Sequence, residues 1–127
     1  MNTISSELKD AERRHQWCLD THHLYSASIS ILADDGRTYG FATSQYVDFV
    51  HEANPEMQKD SDAPAERMRL RFATAEVMIL GSGLERIARA LSEGQLCRMK
   101  AISRRYAGVL KSGPMIFSIA VAPKNDL

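Results

Sequence analysis

Three patterns in this 127-residue chain predict a small single α+β domain with a mainly antiparallel sheet. Residues 25–31 alternate apolar and polar side chains and run into an Asp-Gly turn, as a β-hairpin does. Residues 67–80 alternate and then become continuously apolar. Residues 83–93 repeat apolar positions at helical spacing. Strands in runs, interrupted by a helix, argue for α+β. A chain of this length suits one core, and we read 1–127 as one domain.

Residues 5–19 have helical composition, with Leu8, Ala11, His15 and Cys18 at helical spacing. Charge dominates the segment, so that helix needs a packing partner. In the hairpin at 25–43, Tyr25, Ala27, Ile29 and Ile31 alternate with serines. A two-residue Asp35-Gly36 loop would mix apolar and polar side chains on each face. A three-residue Asp34-Asp35-Gly36 loop pairs Ile31 with Tyr39, Ile29 with Phe41 and Ala27 with Thr43. The hydrophobic pattern selects the second register, with Gly36 left-handed in a bulge.

Residues 44–54 fit either a short helix capped by Ser44 or a strand; the cluster of β-formers favours the strand. Residues 53–66, bracketed by Pro55 and Pro64, read as a mobile surface loop. Strict alternation from Arg67 to Leu80 would bury Glu76 unpaired. A bulge near Ala73-Thr74-Ala75 avoids that by shifting the phase, sending Val77 and Ile79 inward. The prediction is a central bulged strand over 67–80.

The helix at 83–93 covers that strand. It carries an Ser82-x-x-Glu85 capping box and an apolar stripe of Leu84, Ile87, Ala88 and Leu91, and Gly94 closes it. A strand over 96–102 and a last strand with Met115, Phe117, Ile119 and Val121 on one face complete the reading.

Net charge is zero but unevenly spread. Residues 1–63 hold five Lys/Arg against eleven Asp/Glu, and residues 64–127 hold the reverse excess. Halves that pack together and neutralise each other explain this without a ligand. The N-terminus lacks a secretory pattern, and no apolar run reaches the roughly 18 residues of a membrane helix. Two cysteines make no disulfide framework. A cytoplasmic location without membrane contact is expected.

The basic candidates are Arg67, Arg69 and Arg71 on one strand face, with Arg98, Lys100, Arg104 and Arg105 downstream. If the two strands were neighbours, their basic face could meet the phosphates of a nucleic acid, although only Tyr106 could stack a base. The competing reading is a solvated face paired with acids.

Gly81-Ser82-Gly83 resembles an anion-binding turn but lacks phosphate-loop spacing, and a tight strand–helix turn explains it. His15, Cys18 and His22 could share a helical face, yet no second cluster completes a zinc site, and Cys97 and His51 are isolated. Cys18 or Cys97 with a histidine could make a thiol enzyme, but no local motif supports one. Asp34-Asp35 is explained by turn chemistry.

The expected function is therefore a non-enzymatic binding or assembly module without a cofactor, self-associating as a homo-oligomer. A nucleic-acid-binding protein is the alternative, and a small metal- or thiol-dependent enzyme the second.

Overall fold

The computed structural model describes residues 19–22, 24–59, 62–102 and 114–124. These form β1 (Leu19–Thr21), β2 (Ser28–Leu32), β3 (Thr38–Ala42), β4 (Tyr46–Ala53), β5 (Glu66–Phe72), β6 (Ala75–Ser82), α1 (Glu85–Ser92), β7 (Leu96–Lys100) and β8 (Met115–Pro123). One sheet has the order β1-β7-β2-β3 and the other β4-β5-β6-β8. Among the described residues only the β2–β7 pairing is parallel. The α+β class holds.

The apolar faces of both sheets share one core. Ile29, Ile31, Phe41 and Met99 come from the first sheet, and Met68, Leu70, Phe72, Val77, Ile79 and Ile119 from the second. The Phe41 and Phe72 rings stack across the join at 4.3 Å, and Tyr46 meets Phe72 edge-on at 5.9 Å. Helix α1 adds Ile87, Ala90 and Leu91.

The first hairpin has the predicted register, Ile29 opposite Phe41 and Ile31 opposite Tyr39. Gly36 lies at φ +83°, as a three-residue loop requires. Asp35 accepts from the Arg37 amide at 2.9 Å and from the Tyr39 hydroxyl at 2.7 Å. The narrowly favoured strand at 44–54 is β4, entered through a 3₁₀ turn, Thr43–Gln45. The helix expected over 5–19 lies outside the described residues except for Leu19, which begins β1.

The single bulged strand over 67–80 is corrected. The chain reverses at Ala73-Thr74, and β6 runs back antiparallel to β5, with Arg71 opposite Glu76 and Met68 opposite Ile79. A two-residue reversal and a one-residue bulge both exchange odd and even positions. Val77 and Ile79 are therefore fully buried and Glu76 lies on the outer face, as expected but for another reason. Among the described residues positive φ occurs only at glycines, so this turn lacks the left-handed signature of most two-residue hairpins.

A bulge does occur, in β8. Leu80 faces Ser118 but Gly81 faces Ile116, leaving Phe117 as the extra residue. The face expected from Met115 and Phe117 is thereby shifted, and Ile116 is fully buried instead. Gly81 permits the approach that goes with it: a Cβ there would lie 1.9 Å from the Met115 carbonyl oxygen.

The capping box is also corrected. Ser82 ends β6, and α1 starts at Glu85 with Leu84 in the cap position, making no side-chain cap bond. The C-terminal prediction holds, with Gly94 at φ +67°. Over 53–66, Asn54 is buried and joins the two ends: its amide donates to the Ala65 carbonyl and its Nδ2 to the Pro64 carbonyl, at 2.9 and 2.8 Å.

Gly81→Ala should lower unfolding stability by about 1–3 kcal/mol, because backbone cannot yield to the added methyl as a side chain would. Gly40→Ala, where a Cβ meets nothing within 4 Å, should change it by less than about 0.5 kcal/mol. Urea denaturation checks both, and equal losses would refute the close-approach account.

Candidate interaction surfaces

The outer face of the second sheet carries the arginine stripe between two columns of other residues. Arg71, Arg69 and Arg67 on β5 stand opposite Asp48, Val50 and Glu52 on β4, and opposite Glu76, Met78 and Leu80 on β6. Arg67 donates to Glu52 Oε1 through Nε at 2.8 Å and Nη2 at 2.5 Å. Arg71 grips both oxygens of Asp48 in a fork-on-fork pair. Arg69 reaches only longer ion pairs, to Glu52 at 3.7 Å and Glu76 at 4.0 Å, and its buried Nε has no hydrogen-bond partner.

Three cations thus sit among three carboxylates. The Arg71 guanidinium holds the Asp48 carboxyl below its ordinary pKa, and Arg67, aided by Arg69, does the same to Glu52.

The remaining basic candidates are elsewhere. Arg98 and Lys100 lie on β7, which neighbours β1 and β2, so they do not extend the arginine stripe. The joint basic face, which required neighbouring strands, is not assembled. Arg104 and Arg105 lie outside the described residues. Arg98 and Lys100 instead border a recess of ≈ 360 Å³ on the outer face of the first sheet, with Ser30, Leu32, Thr38 and Met99.

The Gly81-Ser82-Gly83 turn does receive an anion, and it is internal. Glu66, the first residue of β5, accepts from the Gly83 amide at 2.7 Å and the Leu84 amide at 3.2 Å. His51 Nε2 lies 2.6 Å from the same carboxylate. Burial opposes ionisation of Glu66, but the Gly83 amide, His51 and the Leu84 amide outweigh it, and its pKa falls below the ordinary value.

Other candidates are placed as follows. Asp34 bonds the edge strand β8, accepting from the Ile119 amide at 3.0 Å and the Ser118 hydroxyl at 2.6 Å. His22 Nδ1 accepts from the Leu24 amide at 3.2 Å, and the Cys97 thiol donates to the Gln95 carbonyl at 3.6 Å. His15 and Cys18 lie outside the described residues. Among the described residues no three His, Cys, Asp or Glu side chains gather around a possible ion position. Comparison with protein families, curated proteins and solved structures finds no match.

One surface was not singled out by the residues alone. β4 ends its sheet, and Val47, Phe49 and Val50 along it are 59%, 37% and 43% exposed. Those residues were visible as a β-forming cluster. Their position on an edge depends on strand order, which no local pattern carries.

Ionised Glu66 stabilises the folded chain, because its folded pKa lies below its unfolded one. That contribution is complete above the ordinary glutamate range and is lost as pH falls through the folded pKa. Glu66→Gln should cost about 1 kcal/mol at neutral pH, the usual worth of a helix cap. It should also make the acid-side fall in stability shallower than in the parent. Urea midpoints measured from neutral to acid pH test this, and parallel pH profiles for the two proteins would disprove it.

Proposed function

We propose that this protein is a small non-enzymatic assembly module that self-associates by pairing β4 with β4 of a second copy. The observation that carries this reading is the open edge. The Tyr46 amide closes the preceding turn on the Thr43 carbonyl, and among the described residues no backbone group of Val47–Ala53 bonds main chain beyond the ladder to β5. An uncovered strand of eight residues with exposed valines and a phenylalanine is a template for another strand.

The opposite edge of the same sheet differs. On β8, the Ile119 carbonyl accepts from the Asp34 amide at 2.8 Å, and the Ile116 carbonyl accepts from the Ile102 amide at 2.8 Å. Pairing through β4 would therefore consume, in both copies, the one open edge of this sheet among the described residues, and the joined sheet would stop growing at a dimer. The zero net charge of the chain removes bulk repulsion between copies.

The nucleic-acid alternative draws less support. Phosphates approaching Arg67 and Arg71 would have to displace the carboxylates already bonded to them, Glu52 and Asp48. The acids flanking the stripe would also repel a polyanion.

Light scattering on the full chain across a concentration series tests the proposal. The parent should be a dimer at high concentration. Val47→Lys/Phe49→Lys, which sets like charges along the edge, should shift the dimer midpoint upward by about tenfold or more, with an unchanged circular dichroism spectrum. A parent that stays monomeric throughout, or a variant that dimerises equally well, would refute it.

A further inference from the structure

Two charged side chains beside the β4 edge are incompletely used within one copy. Arg69 reaches Glu52 at 3.7 Å and Glu76 at 4.0 Å, and its buried Nε has no hydrogen-bond partner. Glu52 has spare capacity of the opposite sign. Both Arg67 bonds fall on its Oε1, and among the described residues none falls on Oε2. Asp48 differs, because Arg71 holds both of its oxygens. On the other face of β4, Phe49 is 37% exposed, and an open groove of ≈ 470 Å³ is bordered by His51, Ala53, Ala65 and Glu66.

Symmetry narrows how two such strands can meet. A two-fold axis that lays β4 antiparallel beside its copy must stand normal to the sheet. It keeps each face on its own side, so with a side-chain period of two it passes through a residue, never between two. Three centres keep most of β4 paired: Phe49, Val50 and His51. A centre at Val50 sets Asp48 opposite the partner's Glu52 twice, and like charges directly opposite destabilise a sheet. A centre at Phe49 runs the bulged Val47 against the partner's His51 and offers Arg69 the partner's Asp48, which Arg71 already holds. A centre at His51 pairs Phe49–Ala53 with Phe49–Ala53, all in the regular part of the strand.

We propose that the two strands meet antiparallel about His51, joining Arg69 of each copy to Glu52 of the other; this rests on the β4 pairing proposed above. Val50 stands beside Arg69 in the β4–β5 ladder. In this register the partner's Glu52 lies opposite Val50, two strands from Arg69 and roughly 10 Å away between α-carbons. An arginine and a glutamate span that gap by reaching towards each other over the valine. The pair forms twice, once on each side of the axis. On the other face Phe49 meets the partner's Ala53, where Ala53 and Ala65 leave the groove open for a ring.

Oxidative cross-linking of the full chain, with Cys18 and Cys97 replaced by serine, reads the register. His51→Cys should give covalent dimers, since a residue on the axis faces its copy at about 4.5–5.5 Å, within disulfide range. Val50→Cys and Phe49→Cys should give far fewer, being separated from their copies by a diagonal of roughly 7–8 Å or more. Arg69→Gln should raise the dimer midpoint in light scattering by about tenfold, because each dimer loses two charge-assisted bonds. A dimer that cross-links through Val50→Cys or Phe49→Cys, or that keeps the parent midpoint in Arg69→Gln, would overturn this register while leaving the β4 pairing in place. A parent that never dimerises removes both. If circular dichroism shows that His51→Cys does not fold, the Arg69→Gln midpoint decides.

Discussion

Two hydrogen bonds hold the chain reversal on which the second sheet depends. The Ala73 amide donates to the Gln45 carbonyl at 2.8 Å, and the Lys124 amide donates to the Thr74 carbonyl at 3.0 Å. Gln45 immediately precedes β4 and Lys124 follows β8, so the turn gathers all four strands at one end. An isolated two-stranded hairpin is marginal in water. This one is supported by strands on both sides and by the core beneath Leu70 and Val77. The reversal makes β5 and β6 neighbours, sends their apolar positions into one core, and sets Arg67, Arg69 and Arg71 beside Leu80, Met78 and Glu76.

Elements were legible in the sequence where their causes are local. The first hairpin was readable down to its register, because Ile29, Ile31, Tyr39, Phe41 and Gly36 contain the whole argument. The reversal at Ala73-Thr74 was not, because its supports, Gln45 and Lys124, are remote and its residues carry no turn signature. The inward position of Val77 emerged anyway, since a bulge and a two-residue turn change the phase alike. The same division explains the cap. Ser82 and Glu85 had the right spacing, but Glu66, 17 residues before Gly83, reaches the free amides while Ser82 remains in the β-ladder. In the interaction surfaces, the solvent-facing arginines were readable and their partners were not.

Strand pairing also accounts for part of the charge asymmetry along the chain. β4 belongs to the acidic half and β5 to the basic half, and their antiparallel ladder brings Asp48 to Arg71 and Glu52 to Arg67. Each carboxylate titrates low because its arginine stands on the adjoining strand. On the first sheet the antiparallel β1–β7 ladder likewise sets Asp20, from the acidic half, opposite Arg98. There β7, from the basic half, inserts beside β2, whose outward positions are serine and leucine.

The edges of the second sheet follow from this electrostatic pattern too. Strand edges commonly resist pairing through charged side chains and bulges, and β4 has both. Its acids, however, are drawn back by arginines on β5, which weakens their repulsion of an incoming strand. Its bulge lies at Val47, near one end, and leaves Asp48–Ala53 in regular register with β5. The β8 edge is blocked differently, by main-chain bonds from Asp34 and Ile102, and those cannot be displaced without detaching the hairpin tip or the segment after β7. A sheet closed firmly at one edge and weakly defended at the other can add one partner but cannot propagate. For the proposed pairing through β4, this asymmetry favours a closed pair over an open fibre.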